Sequence, residues 1–218
     1  MGQKILPGDA ATRRYNHEKL VAECRDLPCL KQLLACRVGR SFWVFGYGSL
    51  MWNPGFPHQD LRPALLHGYH RRFCVWSHNY RGTPECPGLV LGLDRGGSCW
   101  GIAFKVDSCE SEAVLDYLHE REMTTRVYHP RLVDLHTAQG PVLGLAFVVD
   151  RRHQQYTGHL TLHAMAELIA QARGKRGPCA DYLCNTVQRM EQLSIDPGHL
   201  KPLLRLVRQH RTDSGLAG

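Results

Sequence analysis

The sequence predicts an α+β fold, a small mixed β-barrel with flanking α-helices. Three observations carry this. Short runs of branched and aromatic residues, broken by Gly- and Pro-rich turns, fill residues 42–149. A single helix-like stretch interrupts them around Leu115, and beyond residue 160 the apolar residues recur at helical spacing. Many short strands require a curved or closed sheet. The 218 residues suit one domain that buries roughly 70% of its surface. We expect an N-terminal extension, partly helical, over residues 1–40, the domain over 41–212, and a tail over 213–218.

Residues 1–16 mix Gly, Pro and charge and read as a loose lead-in. Leu20, Val21, Leu27, Leu30, Leu33 and Leu34 then suggest a helix interrupted near Pro28. The first strand, residues 42–45, sits in the run Phe42-Trp43-Val44-Phe45-Gly46-Tyr47-Gly48-Ser49-Leu50. Gly46 and Gly48 free the backbone for φ values that other residues resist. A chain turning there can aim successive N–H groups into one small concavity, which suits a carboxylate or an oxyanion. The spacing lacks the third glycine of a dinucleotide loop and the Gly-Lys-Ser/Thr end of a P-loop, so a nucleotide is not expected.

Strand-like pieces follow at 64–68, 72–76, 89–93 and 100–106, with turns at 81–84, Pro87-Gly88 and Gly96-Gly97. Asp107 with Glu110 resembles a capping box. The helix it would open runs through Val114, Leu115 and Leu118 to about Arg121. Leu115, Leu118 and Glu122 stand at i, i+3 and i+7, so a helix reaching that far points Glu122 down the face entering the core. Glu120 falls off that face. Strands at 126–136 and 142–149 complete the sheet around a turn at Gln139-Gly140-Pro141. Three helical stripes close the chain, led by Leu162, Leu183 and Leu200, and they read as core packing.

No apolar run approaches the roughly 20 residues of a membrane span, and the opening residues hold no apolar signal core. The expectation is a soluble cytoplasmic protein without a membrane partner. Nine cysteines, an odd number with no C-x-x-C pair, fit reduced thiols better than disulfides or a zinc knot. His159 and His163 could share a helix face, but no acidic ligand accompanies them, and no metal is expected. The net charge of +7 favours an anionic partner, yet the basic residues are scattered as pairs such as Arg71-Arg72 and Arg151-Arg152. Nucleic-acid binders show a stripe or tail interleaved with aromatics, so a small acidic metabolite fits better.

Tyr47-Gly48-Ser49-Leu50, then Gly68-Tyr69-His70-Arg71-Arg72-Phe73, Arg81-Gly82-Thr83, Pro87-Gly88, Trp100-Gly101-Ile102-Ala103 and Arg121-Glu122, together resemble the ChaC family of glutathione-specific γ-glutamylcyclotransferases, in order over about residues 41–194. The resemblance implies a compact β-barrel with flanking helices. It also implies a loop from Val44 through Phe45, Gly46, Tyr47, Gly48, Ser49 and Leu50 that holds the γ-glutamyl group, with Glu122 as the catalytic acid/base. Arg72 and Tyr128 join the implied substrate-binding set; Tyr128 and Tyr182 match tyrosines common in the family. The implied reaction splits glutathione into 5-oxoproline and cysteinylglycine without a cofactor. Two positions depart from the family: Leu89 stands where arginine is common, and Cys179 where asparagine is.

The residue types allow that chemistry and leave alternatives open. Glu122 reads either as a general base, or as a salt-bridge partner of an arginine such as Arg121 or Arg126, or as a residue simply exposed at a helix end. Tyr47 either hydrogen-bonds substrate or walls the pocket. Ser49 as a hydrolase nucleophile is disfavoured, because its flanks are not Gly-x-Ser-x-Gly. A sister activity on γ-glutamyl amino acids or amines would use the same loop and Glu122. A non-catalytic metabolite-binding protein of the same fold is the third reading.

Overall fold

The computed structural model describes Pro28, Lys31 and residues 41–215. Five strands close into a barrel in the order β1-β3-β2-β4-β5: β1 (Phe42–Gly46), β2 (Asp60–Ser77), β3 (Gly88–Val106), β4 (Tyr128–Thr137) and β5 (Gly140–Val149). Neighbours run antiparallel except at the seam, where β1 and β5 pair parallel through Trp43↔Gly144 and Val44↔Leu145. A Cβ on Gly144 would stand 2.4 Å from Leu135 Cδ1, so glycine allows this close packing beside the seam. Val44, Phe45, Phe73, Leu91, Ile102, Phe104, Leu145 and Phe147 are all buried in one continuous core formed on the two faces of this barrel wall.

Four of the strand-like pieces merge into two long strands. Gly96-Gly97 is not a turn between strands but a bend within β3, with both glycines at positive φ (98° and 68°). The β2–β3 register slips opposite it, between His67 and Tyr69, where Gly68 has φ 82°. Glycines that bend a ribbon and glycines that end one carry the same local signal.

Among residues 41–215, four helices flank the barrel: α1 (Ser111–Glu122), α2 (Leu162–Gln171), α3 (Cys179–Gln192) and α4 (Leu200–Asp213). The capping box before α1 does not form. Glu110 takes the cap position without a side-chain bond, and the Asp107 carboxylate accepts the Cys109 N–H instead, at 3.0 Å. Thr161 caps α2 by accepting the Ala164 N–H at 3.2 Å. His159 precedes that cap, so it shares no helix face with His163. A short hairpin, β6 (Arg173–Gly174) and β7 (Gly177–Pro178), joins α2 to α3.

Among the described residues no helix is long and apolar enough to cross a membrane. The helix expected in the N-terminal extension lies outside them apart from Pro28 and Lys31, both helical. Lys31 pairs with Glu112 (3.1 Å) and Asp116 (2.8 Å) on α1.

Candidate active site

Past β1 the chain crosses Tyr47 and Gly48 into one 3-10 turn, Ser49–Met51. The two glycines are required here for space and not for positive φ. Gly48 has φ −131° and ψ −128°, and a Cβ there would stand 2.9 Å from the Tyr182 hydroxyl. One on Gly46 would meet Phe104 at 3.0 Å. The turn closes through Met51 N–H to Gly48 O and Asn53 N–H to Ser49 O, both 2.9 Å. Among the described residues, the N–H groups of Gly48, Ser49 and Leu50 meet no acceptor. Those are the unpaired donors that a helical start leaves over. Buried Arg71 of β2 braces the turn from behind, donating through Nε to the Tyr47 carbonyl and through Nη2 to that of Trp100 (2.6 Å).

The end of α1 faces this turn. Leu115 and Leu118 bury one stripe of the helix, and Glu122 continues it while Glu120 stays exposed. Only 16% of the Glu122 side chain is accessible. Arg121 joins the two elements. Its Nε donates to Glu122 Oε1 (3.0 Å), Nη1 to Asn53 O (2.7 Å) and to the Tyr117 hydroxyl (2.6 Å), and Nη2 to Ser49 Oγ (2.8 Å). Arg121 is thus the ion-pair partner, and exposed Arg126 is not. Burial raises the Glu122 carboxyl above the usual glutamate range, outweighing the opposing charge and hydrogen bond of Arg121 and the smaller opposing charge of Arg176. Glu122 is salt-bridged and also lines the cavity, so the ion pair does not withdraw it from the site.

A cavity of about 240 Å³ lies between turn and helix end. Tyr47, Gly48, Ser49, Leu50, Glu122 and Tyr128 all line it. Val44, Phe45 and Gly46 lie in the barrel wall and do not line it; Val44 and Phe45 are fully buried. Arg72 does not line it either. It belongs to a cluster around Asp94, a fully buried carboxylate bound by Arg72 (3.3 Å), Arg151 (2.6 Å) and the Tyr156 hydroxyl (2.9 Å). The Arg71-Arg72 pair faces opposite sides of a strand, which sequence alone does not sort between turn and cluster.

Two tyrosines that line the cavity have committed protons. Tyr47 donates to Phe147 O at 2.9 Å and Tyr128 to Leu91 O at 2.8 Å. Burial pushes both phenols, and that of Tyr182, well up, so they stay neutral. Ser49 Oγ accepts from Arg121, and no base among the described residues activates it. Leu89 and Cys179 are buried and outside the cavity. The Cys179 thiol donates to Leu89 O (3.0 Å) and accepts the Leu89 N–H (3.4 Å), spanning both backbone groups as a carboxamide would. Sequence reasoning missed Trp52, Arg81 and Arg176 as lining residues, since they lie far apart in the chain and only folding collects them.

The barrel, with its glycine turn and its sheltered acid, has the architecture of the γ-glutamylcyclotransferase-like proteins. A solved yeast structure, described as a γ-glutamyl cyclotransferase specific to glutathione, matches it with a TM-score of 0.73 at 23% identity, over 78% of this chain and 96% of that one. A family model described as ChaC-like protein matches residues 42–210, and the chain belongs to that family. It is 36% identical over 182 residues to the glutathione-specific γ-glutamylcyclotransferase of Escherichia coli, covering 83% of this chain and 79% of that relative. It is 37% identical over 175 residues to the protein of the same name from Schizosaccharomyces pombe, covering 71% and 85%.

Proposed function

We propose that this chain is a cytoplasmic γ-glutamylcyclotransferase that cleaves glutathione into 5-oxoproline and cysteinylglycine, with Glu122 moving the proton. The observation that carries the reading is one cavity lined both by a mostly buried carboxyl and by three residues whose backbone N–H groups meet no acceptor among the described residues. The names of the curated relatives support glutathione as substrate, and the free thiols of the described cysteines fit a reducing compartment.

The substrate's own α-amine attacks its γ-carbonyl carbon. The ring C–N bond forms, the peptide C–N bond breaks, and the departing nitrogen takes a proton. The protein supplies no nucleophile. Its first task is to fold the γ-glutamyl chain into a near-attack geometry, worth up to roughly 7–11 kcal/mol in good intramolecular cases. The N–H groups of Gly48, Ser49 and Leu50 receive the α-carboxylate or the developing oxyanion.

The second task is to remove a proton from the α-ammonium. An ordinary glutamate near 4.3 facing an ammonium near 8 is about 5 kcal/mol short. Burial narrows that gap by raising the Glu122 carboxyl, and Arg121 keeps it in place. The same carboxyl then returns the proton to the leaving amide nitrogen. The test is to incubate purified protein with glutathione and with a panel of γ-glutamyl amino acids, following 5-oxoproline. Release of cysteinylglycine in equal amount is expected; turnover of the panel without turnover of glutathione would move the reading to a sister activity.

A further inference from the structure

Three guanidinium groups line the cavity, those of Arg81, Arg121 and Arg176. Arg121 is spent on Glu122, Ser49, Tyr117 and two backbone carbonyls. Arg81 donates to Pro178 O at 3.0 Å and lies 5.6 Å from the centre of the Tyr182 ring. The Arg176 guanidinium differs. It lies 4.3 Å from the centre of the Tyr80 ring, and no hydrogen bond or ion pair to another described residue uses its donors. The single acid lining the cavity, Glu122, is already paired with Arg121.

This free cation is nonetheless held in place. Arg176 sits in the tight β6–β7 hairpin, whose backbone is pinned to the neighbouring loop by Lys175 N–H to Asn79 O and Arg176 N–H to Tyr80 O, both 2.9 Å. Arg176 and Tyr80 are exposed, whereas Tyr47, Leu50 and most of Glu122 are buried. The stacked pair therefore stands at the mouth of the cavity and the reacting groups at its floor. Stacking leaves the edge of a guanidinium open for a bidentate carboxylate.

A γ-glutamyl peptide bound with its γ-carbonyl at the floor must run its other end toward that mouth. Two further residues extend about 7 Å, so the terminal carboxylate of a tripeptide stands about that far from the γ-carbonyl, on the side of the mouth. We propose that Arg176 docks the C-terminal carboxylate of the leaving dipeptide and thereby selects γ-glutamyl dipeptides over γ-glutamyl amines. This rests on the cyclotransferase reading of the same cavity. Leu89 and Cys179, the two departures from the family pattern, lie outside the cavity and cannot supply this contact.

The experiment compares glutathione with its C-terminal amide on wild type, Arg176→Ala and Arg176→Lys, measuring kcat and KM by 5-oxoproline release. An exposed charge-assisted contact predicts that wild type has a KM about tenfold higher for the amide. Arg176→Ala should raise KM for glutathione by a similar factor, change kcat far less than KM at a pH above the acid limb, where loss of the smaller Arg176 charge on Glu122 matters least, and no longer distinguish the two compounds. Arg176→Lys should fall between. An unchanged KM for glutathione in Arg176→Ala, or undiminished discrimination against the amide, would overturn the docking role while leaving the reaction intact. Absence of 5-oxoproline from wild type with both compounds would instead overturn the cyclotransferase reading, and the docking role with it.

Discussion

Arg121→Met removes the guanidinium that ties Glu122 to the turn while keeping an apolar stem of similar reach. At about 4 Å and an effective dielectric constant of about 20, the charge pair is worth about 4 kcal/mol, or about 3 pKa units. Glu122 keeps 16% of its side chain accessible, and water entering the vacated space halves the effect to about 1–2 units. The carboxyl already stands above its unfolded value because of burial, and the variant raises it further. Its protonated form is the one the fold favours. Stability is therefore highest below the unfolded glutamate value and falls as pH rises through the folded one. In the variant that fall should be larger by about 1.4–2.7 kcal/mol. Initial rates of 5-oxoproline formation across pH should show the acid limb of kcat/KM moved to higher pH by about 1–2 units, and urea unfolding at pH 4.5 and 8 should show the steeper loss. An acid limb unmoved in a folded Arg121→Met protein would refute this coupling.

Asp94→Asn should destabilise the protein by about 3–5 kcal/mol, since it leaves Arg72 and Arg151 around a neutral amide. The Asp94 carboxyl is held below its usual range, so its contribution is present above the unfolded aspartate value and lost as pH falls through the folded one. Urea midpoints should converge between variant and wild type on acidification, and the KM of Asp94→Asn should stay near wild type. Gly48→Ala drives a methyl to 2.9 Å from the Tyr182 hydroxyl; a cost of about 1–3 kcal/mol is expected, partly recovered in the Gly48→Ala, Tyr182→Phe double variant by thermal melting. Tyr47→Phe leaves the buried Phe147 carbonyl without its 2.9 Å donor. It should cost about 1–3 kcal/mol of stability while kcat, measured on the folded protein, falls far less than on loss of Glu122.

The barrel was legible because alternation, turn residues and helical stripes obey local rules, and the i, i+3, i+7 spacing was enough to send Glu122 inward after Leu115 and Leu118. What local rules could not give was the partner of a given side chain. Arg71 and Arg72 are adjacent and chemically alike, yet one braces the Tyr47 turn and the other closes on Asp94, a residue 22 positions away. Gly46 and Gly48 were expected to supply unusual φ and instead make room for Phe104 and Tyr182. Tyr182 and Phe104 reach these glycines only through the tertiary fold. Arg81 and Arg176, on separate loops, were hidden for the same reason.

The central claim is that one sheltered carboxyl carries the proton in both directions. Glu122→Gln keeps the shape and an acceptor for Arg121 while removing the base. Steady-state release of 5-oxoproline from glutathione, measured on the folded variant, should show kcat lowered by about 10²–10⁴-fold with KM little changed. Turnover by Glu122→Gln near the wild-type rate would contradict the account.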